Sequence, residues 1–246
     1  MENNPSPAPL TSISVFFPAY NDAGTIAHLV RAVNEVLPKV CQSHEIIVID
    51  DGSRDGTGRL LDELCQEIEV LRVIHHPHNR GYGAALRSGF LAAKKDWVFY
   101  TDGDGQYDPQ EITKLVAAAN GKINVVNGYK TKRRDTKLRT WIGNGYRRLV
   151  NSVFGIPVRD VDCDFRLIYR NKLAGLDLVS NSGAICVELV KKLERGGCAF
   201  ADVPVSHFPR TFGHSQFFRV KPIFTTIIEL VRLYGNLNAS LPQEKS

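Results

Sequence analysis

Over its first 120 residues this chain alternates short apolar runs with segments of helical period. Ser12–Phe17, Glu45–Ile49, Val70–Ile74 and Trp97–Thr101 read as strands, each followed by a turn containing Asp, Asn, Gly or Pro. Ile46, Ile47, Val48 and Ile49 form an unbroken apolar stretch, the pattern of a parallel strand buried on both faces. Between the strands, Thr25–Leu37 places Ile26, Leu29, Val30, Val33 and Leu37 on one helical face, and Thr57–Ile68, Ala84–Ala93 and Pro109–Ala119 read as further helices. This β-α-β-α order predicts an α/β domain with a mostly parallel, doubly wound, Rossmann-like sheet. The Pro- and Asn-rich residues 1–10 are expected to be disordered.

Toward the end of the chain, Val220, Ile223, Phe224, Ile227, Ile228, Val231 and Tyr234 recur at helical spacing, with Lys221, Thr225, Glu229 and Arg232 opposite. This is the signature of an amphipathic helix. Glu229 and Arg232 interrupt an apolar run already shorter than the roughly 18 residues a bilayer span requires. Two readings stay open: the helix packs on the domain or on a second copy, or residues 217–234 lie in a membrane interface as a peripheral contact. The expected division is therefore residues 1–10 as a disordered terminus, 11–217 as one domain, and 218–246 as amphipathic helix and tail.

Composition adds bounds. At 246 residues and 43% hydrophobic content the chain can bury the core of one large domain. A net charge of +5 is mild, and no dense basic stripe with interleaved aromatics appears, so nucleic acid is not an expected partner. Lys130, Lys132, Arg133, Arg134, Lys137 and Arg139 form the one basic cluster. Five cysteines, odd in number and without C-x-x-C spacing, fit reduced thiols. No Lys or Arg precedes Arg31, so a secretion signal's basic region is missing and a cytoplasmic setting is expected, either free or on the cytosolic face of a membrane.

The chemistry concentrates in two acidic turns. After Val98-Phe99-Tyr100-Thr101 come Asp102-Gly103-Asp104-Gly105-Gln106, where glycines let two carboxylates bend toward one ion. Mg²⁺ or Mn²⁺ suits such a pair, since these hard ions take oxygen ligands and leave positions for water or phosphate. Asp50-Asp51-Gly52-Ser53 ends the second strand, at the sheet edge where α/β folds hold ligands. Asp51, Ser53, Asp55 and Gly56, with Asp62 at position twelve, also match a calcium loop, but a strand precedes them and the usual Glu is missing. Asp55 and Asp108 read better as turn or capping residues. A dinucleotide fingerprint is absent: the first strand ends in Pro18-Ala19-Tyr20-Asn21-Asp22. His75, His76 and His78 fit a polar, Pro-containing turn better than a metal site.

Taken in order, Pro18-Ala19-Tyr20-Asn21, Asp50-Asp51-Gly52-Ser53, Asn79-Arg80-Gly81-Tyr82-Gly83 and Asp102-Gly103-Asp104-Gly105-Gln106 resemble the GT-A glycosyltransferases of family 2. Asp160-Val161-Asp162-Cys163-Asp164-Phe165-Arg166-Leu167 and Arg210-Thr211-Phe212-Gly213-His214-Ser215-Gln216 are similar to the later motifs of its polyprenyl-phosphate branch, typified by dolichol-phosphate mannosyl- and glucosyltransferases. The resemblance implies a GT-A fold over 11–217 and a metal-dependent, inverting transfer of a hexose from a UDP- or GDP-sugar to a polyprenyl (dolichyl or undecaprenyl) phosphate. It places Pro18, Tyr20, Asp22, Asp50, Asp51, Gly81 and Asp102 at the donor nucleotide, and Asp102, Asp104 and Gln106 at Mg²⁺ or Mn²⁺. Lys130 and Arg139 would meet the acceptor phosphate, and Arg210 would act with Asp102 and Asp104 in catalysis. This branch often has Glu at Asp22 and Lys at Gln216, so reach at both positions departs from the pattern.

A lipid phosphate is already anionic and needs positioning, whereas a sugar hydroxyl must lose a proton to a base. For a hydroxyl acceptor, Glu188 on the helical stretch Ala184–Leu193 is the candidate base, and a helix-surface role is the plain alternative. A nucleotidyltransferase is disfavoured because its Gly-rich basic loop is missing after the first strand. A non-catalytic nucleotide-sugar binding module is disfavoured because Asp102, Asp104 and Gln106 are all present. The sugar, the base, the lipid length and the oligomeric state stay open.

Overall fold

A computed structural model describes residues 9–131, 145, 148–213 and 220–239. Its strands are β1 (Leu10–Ala19), β2 (Cys41–Asp50), β3 (Leu71–His75), β4 (Trp97–Thr101), β5 (Val125–Lys130), β6 (Phe165–Tyr169) and β7 (Phe200–Val205). Its helices are α1 (Ile26–Val36), α2 (Thr57–Glu67), α3 (Tyr82–Ala92), α4 (Ile112–Ala118), α5 (Ala184–Arg195) and α6 (Val220–Ala239), with a further helical stretch over 148–154. The strands form one sheet in the order β3-β2-β1-β4-β6-β5-β7.

The expected β-α alternation holds through β4, and the apolar runs are the reason. Ile46, Ile47, Val48 and Ile49 are fully buried, because β2 lies between β1 and β3 with a packed layer on each face. Ile13, Val15, Phe17, Ile26, Leu29, Leu61 and Leu115 belong to one layer, on the side of α1, α2 and α4. Phe16, Ile47, Ile49, Leu86, Ile185 and Leu189 belong to the other, on the side of α3 and α5. Phe16, Phe90 and Tyr100 close that second layer, Phe16 stacking on Tyr100 at 5.4 Å while Phe90 meets both rings edge-on. Burying each such ring contributes about 1.5–3 kcal/mol.

Three strands are not anticipated by the sequence pattern: β5, β6 and β7. Strand β6 runs antiparallel between β4 and β5, while β5 pairs in parallel with β7. The second residue of β6 is Arg166, fully buried; its guanidinium donates to Asn127 Oδ1 at 2.7 Å, Tyr100 Oη at 2.6 Å and the Val161 carbonyl at 3.2 Å. A buried guanidinium requires such a set of acceptors. The first eight residues of the expected disordered terminus lie outside the described residues, and β1 begins at Leu10.

Helix α6 turns its more apolar face outward. Thr226, Leu233 and Leu237 are buried against the domain, and Glu229, expected on the polar side, turns toward it. Phe224, Ile227, Ile228, Val231 and Tyr234 instead line an outward apolar face, on which Tyr234 also meets Phe154 edge-on at 6.0 Å. All five cysteines are free thiols.

Candidate active site

The loops leaving the carboxyl ends of β1, β2 and β4 meet at one edge of the sheet. After β1, the Asn21 N–H donates to Ser53 Oγ at 3.0 Å and the Asp22 N–H to Thr57 Oγ1 at 3.0 Å, which joins this loop to the one after β2. Asn21 adopts a left-handed φ of 57°, tolerable for Asn because its side chain bonds locally, here accepting from the Arg54 N–H at 2.8 Å. The Pro18 carbonyl accepts from the Gly103 N–H at 3.2 Å, tying the first loop to the β4 turn as well. Tyr20 sits beside the site through its N–H, which donates to Asp22 Oδ2 at 3.0 Å.

Asp50 and Asp51 are both buried, and their oxygens are taken by the chain itself. Asp50 Oδ1 accepts from the Ser53 N–H at 3.0 Å, and Oδ2 pairs with His75 Nδ1 at 2.9 Å. Asp51 Oδ1 pairs with His76 Nδ1 at 2.6 Å and accepts from the Arg80 N–H at 2.9 Å, while Oδ2 accepts from the Gly81 N–H at 2.9 Å. His75 and His76 are thus anchors of the loop after β3. Burial would lower the His75 pKa, but its bonds to Asp50 and Asp62 raise it. Asp55 and Asp108 behave as turn and capping residues: Asp55 accepts from the Thr57 N–H and hydroxyl, and Asp108 from the Gln110 N–H.

Gly81 has a left-handed φ of 95°, and a Cβ there would lie 2.7 Å from the Asn181 carbonyl. At Gly83 a Cβ would fall 2.2 Å from the Ser180 carbonyl. These glycines therefore admit the loop preceding α5, a reason the sequence does not disclose. From the same turn the Tyr82 hydroxyl donates to Asp102 Oδ1 at 2.8 Å.

Asp102 is the most perturbed carboxyl of the site. Desolvation raises its pKa well above the usual carboxylate range, the Asp164 and Asp104 carboxylates add to the rise, and Tyr82 and Lys130 pull against it. Asp164 enters from the segment before β6, where its Oδ1 accepts from the Cys186 thiol at 3.2 Å. Asp104 accepts from the Gln106 N–H at 3.0 Å through Oδ1 and holds Arg210 Nη2 at 2.6 Å through Oδ2. Arg210 Nη1 lies 3.9 Å from Asp22, whose pKa is raised to about 6, chiefly by burial. The Gln106 side chain donates to the Phe208 carbonyl at 3.0 Å, so it also holds the last loop in place. Lys130 donates to the Asp162 carbonyl at 2.8 Å; burial would lower its pKa, but Asp160, Cys163, Asp162 and Asp164 raise it, so it stays cationic. Arg139 lies outside the described residues, as do Lys132, Arg133, Arg134, Lys137 and Gln216.

Among the described residues no group of three or more His, Cys, Asp or Glu side chains is arranged to hold a metal. What the turn offers is a pair, Asp102 and Asp104, crowded by a third carboxylate. That donor set fits Mg²⁺ or Mn²⁺, ions that take two protein carboxylates and complete their shell with water or phosphate oxygens. Tyr82 and Asp164 are the site neighbours to which the sequence reading gave no role. Asp164 stands inside a quoted motif, and only the position of β6 beside β4 shows that it faces Asp102.

Glu188 is neither a surface residue nor a free base. It is fully buried, and its oxygens accept from the Val179 and Ser180 N–H groups and from Lys192. Against the rise that burial would cause, these donors hold its pKa below the usual value, which makes it a weak proton acceptor.

The family model for glycosyl transferase family 2 matches residues 14–176. An undecaprenyl-phosphate 4-deoxy-4-formamido-L-arabinose transferase from Pseudomonas fluorescens is 29% identical over 219 residues, covering 86% of this chain and 62% of the relative, so the chain spans less than two thirds of that protein. A protein of the same name from Klebsiella pneumoniae is 28% identical over 95% of this chain and 74% of its own length. Among solved structures, glucosyl-3-phosphoglycerate synthase from Mycobacterium tuberculosis with Mn²⁺ and UDP superposes with a TM-score of 0.68 at 19% identity, covering 95% of this chain and 82% of that one. A mannosyltransferase from Pyrobaculum calidifontis with GDP-Man and Mn²⁺ gives 0.64 at 18% identity, covering 94% and 68%. These likenesses carry the GT-A fold expected from the sequence. With the matched region spanning more than half of the 246 residues and containing both acidic turns, the chain belongs to glycosyl transferase family 2.

Proposed function

We propose that the chain transfers a sugar from a nucleoside diphosphate sugar to a polyprenyl phosphate. The observation that carries this reading is the placement of Asp102 and Asp104 together at the end of β4, with Asp164 pressing on Asp102 and the cationic Arg210 and Lys130 beside them, a setting suited to a divalent ion and a diphosphate. A divalent ion held by Asp102 and Asp104 would neutralise the diphosphate as it leaves. Around it, the chain's own groups position the reactants: the loops after β1 and β2 face the nucleotide, Tyr82 orients Asp102, and Arg210 is within reach of the leaving phosphates. A phosphate oxygen of the acceptor attacks the anomeric carbon from the face opposite the leaving group. The bond from that carbon to the diphosphate oxygen breaks, the electron pair leaves with the nucleotide, and configuration inverts. No proton is removed, which agrees with Glu188 being tied to backbone donors.

Two further observations support a lipid acceptor. The relatives' names specify undecaprenyl phosphate. The outward face of α6 carries Phe224, Ile227, Ile228, Val231 and Tyr234, and Leu149 and Val153 are exposed on the stretch that supplies Phe154. Such a surface fits peripheral contact with a bilayer. No helix among the described residues is long and apolar enough to cross one. The relatives' named sugar is a pentose derivative, so the donor panel includes an amino-pentose beside the hexoses.

The test is incubation with UDP- and GDP-sugars, Mn²⁺ or Mg²⁺, and undecaprenyl or dolichyl phosphate in liposomes. Expected is a sugar-phosphate-lipid product that EDTA prevents. Lys130→Ala should cut transfer to lipid by at least tenfold more than it cuts slow hydrolysis of the donor by water. Transfer to a soluble hydroxyl in preference to lipid phosphate, or full activity in EDTA, overturns the reading.

A further inference from the structure

Two carboxylates from different helices grip one loop. The backbone N–H groups of four consecutive residues, Val179 to Ser182, all donate to side-chain carboxylates: Val179 and Ser180 to Glu188 of α5, Asn181 and Ser182 to Glu229 of α6. Glu229 also accepts from the Ser182 hydroxyl at 2.6 Å. An amphipathic surface helix has no need to turn its one acidic side chain inward for packing alone, and charge-assisted bonds of this kind are stronger than neutral ones.

The other side of the same loop meets the glycine turn of the site. The Asn181 carbonyl accepts from the Gly83 N–H at 2.9 Å, and Arg87 bonds both the Ser180 carbonyl and the Asn181 side chain. At Gly81 and Gly83 the two backbones lie so close that no side chain fits between them. The turn in question receives Asp51 through the Gly81 N–H and sends the Tyr82 hydroxyl to Asp102. A continuous set of bonds thus runs from α6 to both acidic turns.

We infer that Glu229 is a positioning residue for the donor site: by fixing the backbone of 181–182 it sets where the Gly81–Gly83 turn stands, and with it the orientation of Tyr82 against Asp102. This rests on the donor-site reading given above, and it assigns the tail helix a part in nucleotide binding besides any contact with lipid. Glu229 does not touch the reacting atoms.

The experiment uses the full chain and two readouts. Hydrogen exchange without any ligand reports the relay itself, and calorimetry with UDP or GDP plus Mn²⁺ reports its consequence. For Glu229→Gln, exchange should accelerate at 179–183 and at 81–86 together, and nucleotide affinity should fall about tenfold while α6 keeps its own protection. Glu188→Gln, on the other helix but the same loop, should reproduce the pattern, and Arg232→Ala, exposed on α6, should not. In steady-state assays the donor KM should rise with the lipid KM unchanged. Faster exchange confined to α6, or unchanged nucleotide affinity in Glu229→Gln, overturns the inference. If the wild-type chain binds neither nucleotide while the exchange pattern appears as described, the donor-site reading fails and Glu229 is a structural brace alone.

Discussion

The acidic turns that end β2 and β4 share residue types and lie along the same edge of the sheet, yet their charges are used differently. In the first, Asp50 and Asp51 accept from Ser53, Arg80 and Gly81 N–H groups and pair with His75 and His76, so their negative charge is consumed in shaping the loops around them. In the second, Asp102 accepts from Tyr82 and is pressed by Asp164 and Asp104, with burial raising its pKa further. The lesson is that a pair of aspartates after a strand can be architecture or chemistry, and the distinction lies in Asp102, which is held by the Tyr82 hydroxyl and pressed by two carboxylates, whereas Asp50 and Asp51 are each held by two or more groups of their own chain. A carboxylate satisfied by its own chain builds the site, and one left in the field of its neighbours awaits a cation.

The sharpest way to break this comparison is to neutralise one member of each turn. Asp104→Asn should lower transfer by about 10²–10³, the usual scale for losing a group that stabilises developing charge, with only a small change in unfolding temperature because relief of repulsion with Asp102 opposes loss of the Arg210 ion pair. Full transfer by this variant in a radiometric assay would erase the distinction. Asp51→Ala should do the reverse. It strands His76 and the Arg80 and Gly81 N–H groups in a buried setting and should cost about 3 kcal/mol of stability, read as a lower midpoint in denaturant. Should stability hold and only nucleotide affinity fall, Asp51 would belong with the ligand contacts.

Asp22 sits between the turns, its N–H on Thr57 and its carboxyl near Arg210 and Asp104, and it sharpens the comparison through pH. Its folded pKa of about 6 lies above the ordinary value of 3.8, chiefly through burial. The folded state therefore binds this proton more tightly than the unfolded one. The associated stability is fully present below pH 3.8 and is lost as the pH rises through about 6. Asp22→Asn should flatten this part of the stability profile, by an amount on the order of 2 kcal/mol between pH 4 and 7. Denaturant titrations across that range check it, and an unchanged slope would mean that Asp22 is charged throughout.

How far the sequence could be read follows from the same physics. Strands β1 to β4 are built around apolar runs separated by amphipathic helices, so local pattern carries their identity and order. The later strands are held by distant partners. Arg166 makes β6 look interrupted, and acceptors on Asn127 and Tyr100, on strands far away in sequence, help make its burial acceptable. The aspartates of both turns were visible as candidates, but their division of labour was not, since it depends on His76, Gly81 and Asp164 arriving from other segments. The tail was legible in part. Its periodicity identified a helix correctly, yet the more apolar face looks outward, because the inward face is fixed by Leu233, Leu237 and the grip of Glu229.

The ion pair between Arg210 and Asp104, at 2.6 Å, would make the second turn an ion exchanger under the proposed function. One carboxylate oxygen holds an internal cation, and an external one can engage that oxygen only by displacing the guanidinium. Affinity for a divalent ion would therefore be a difference between two attractions, leaving the ion weakly held on its own. A nucleoside diphosphate would change the exchange, because its phosphates would offer the released Arg210 a new counter-charge. Under the proposed function, ion and nucleotide would bind as a thermodynamic pair, each raising the other's affinity by the same factor, and the site would take up its full charge complement only with the donor present.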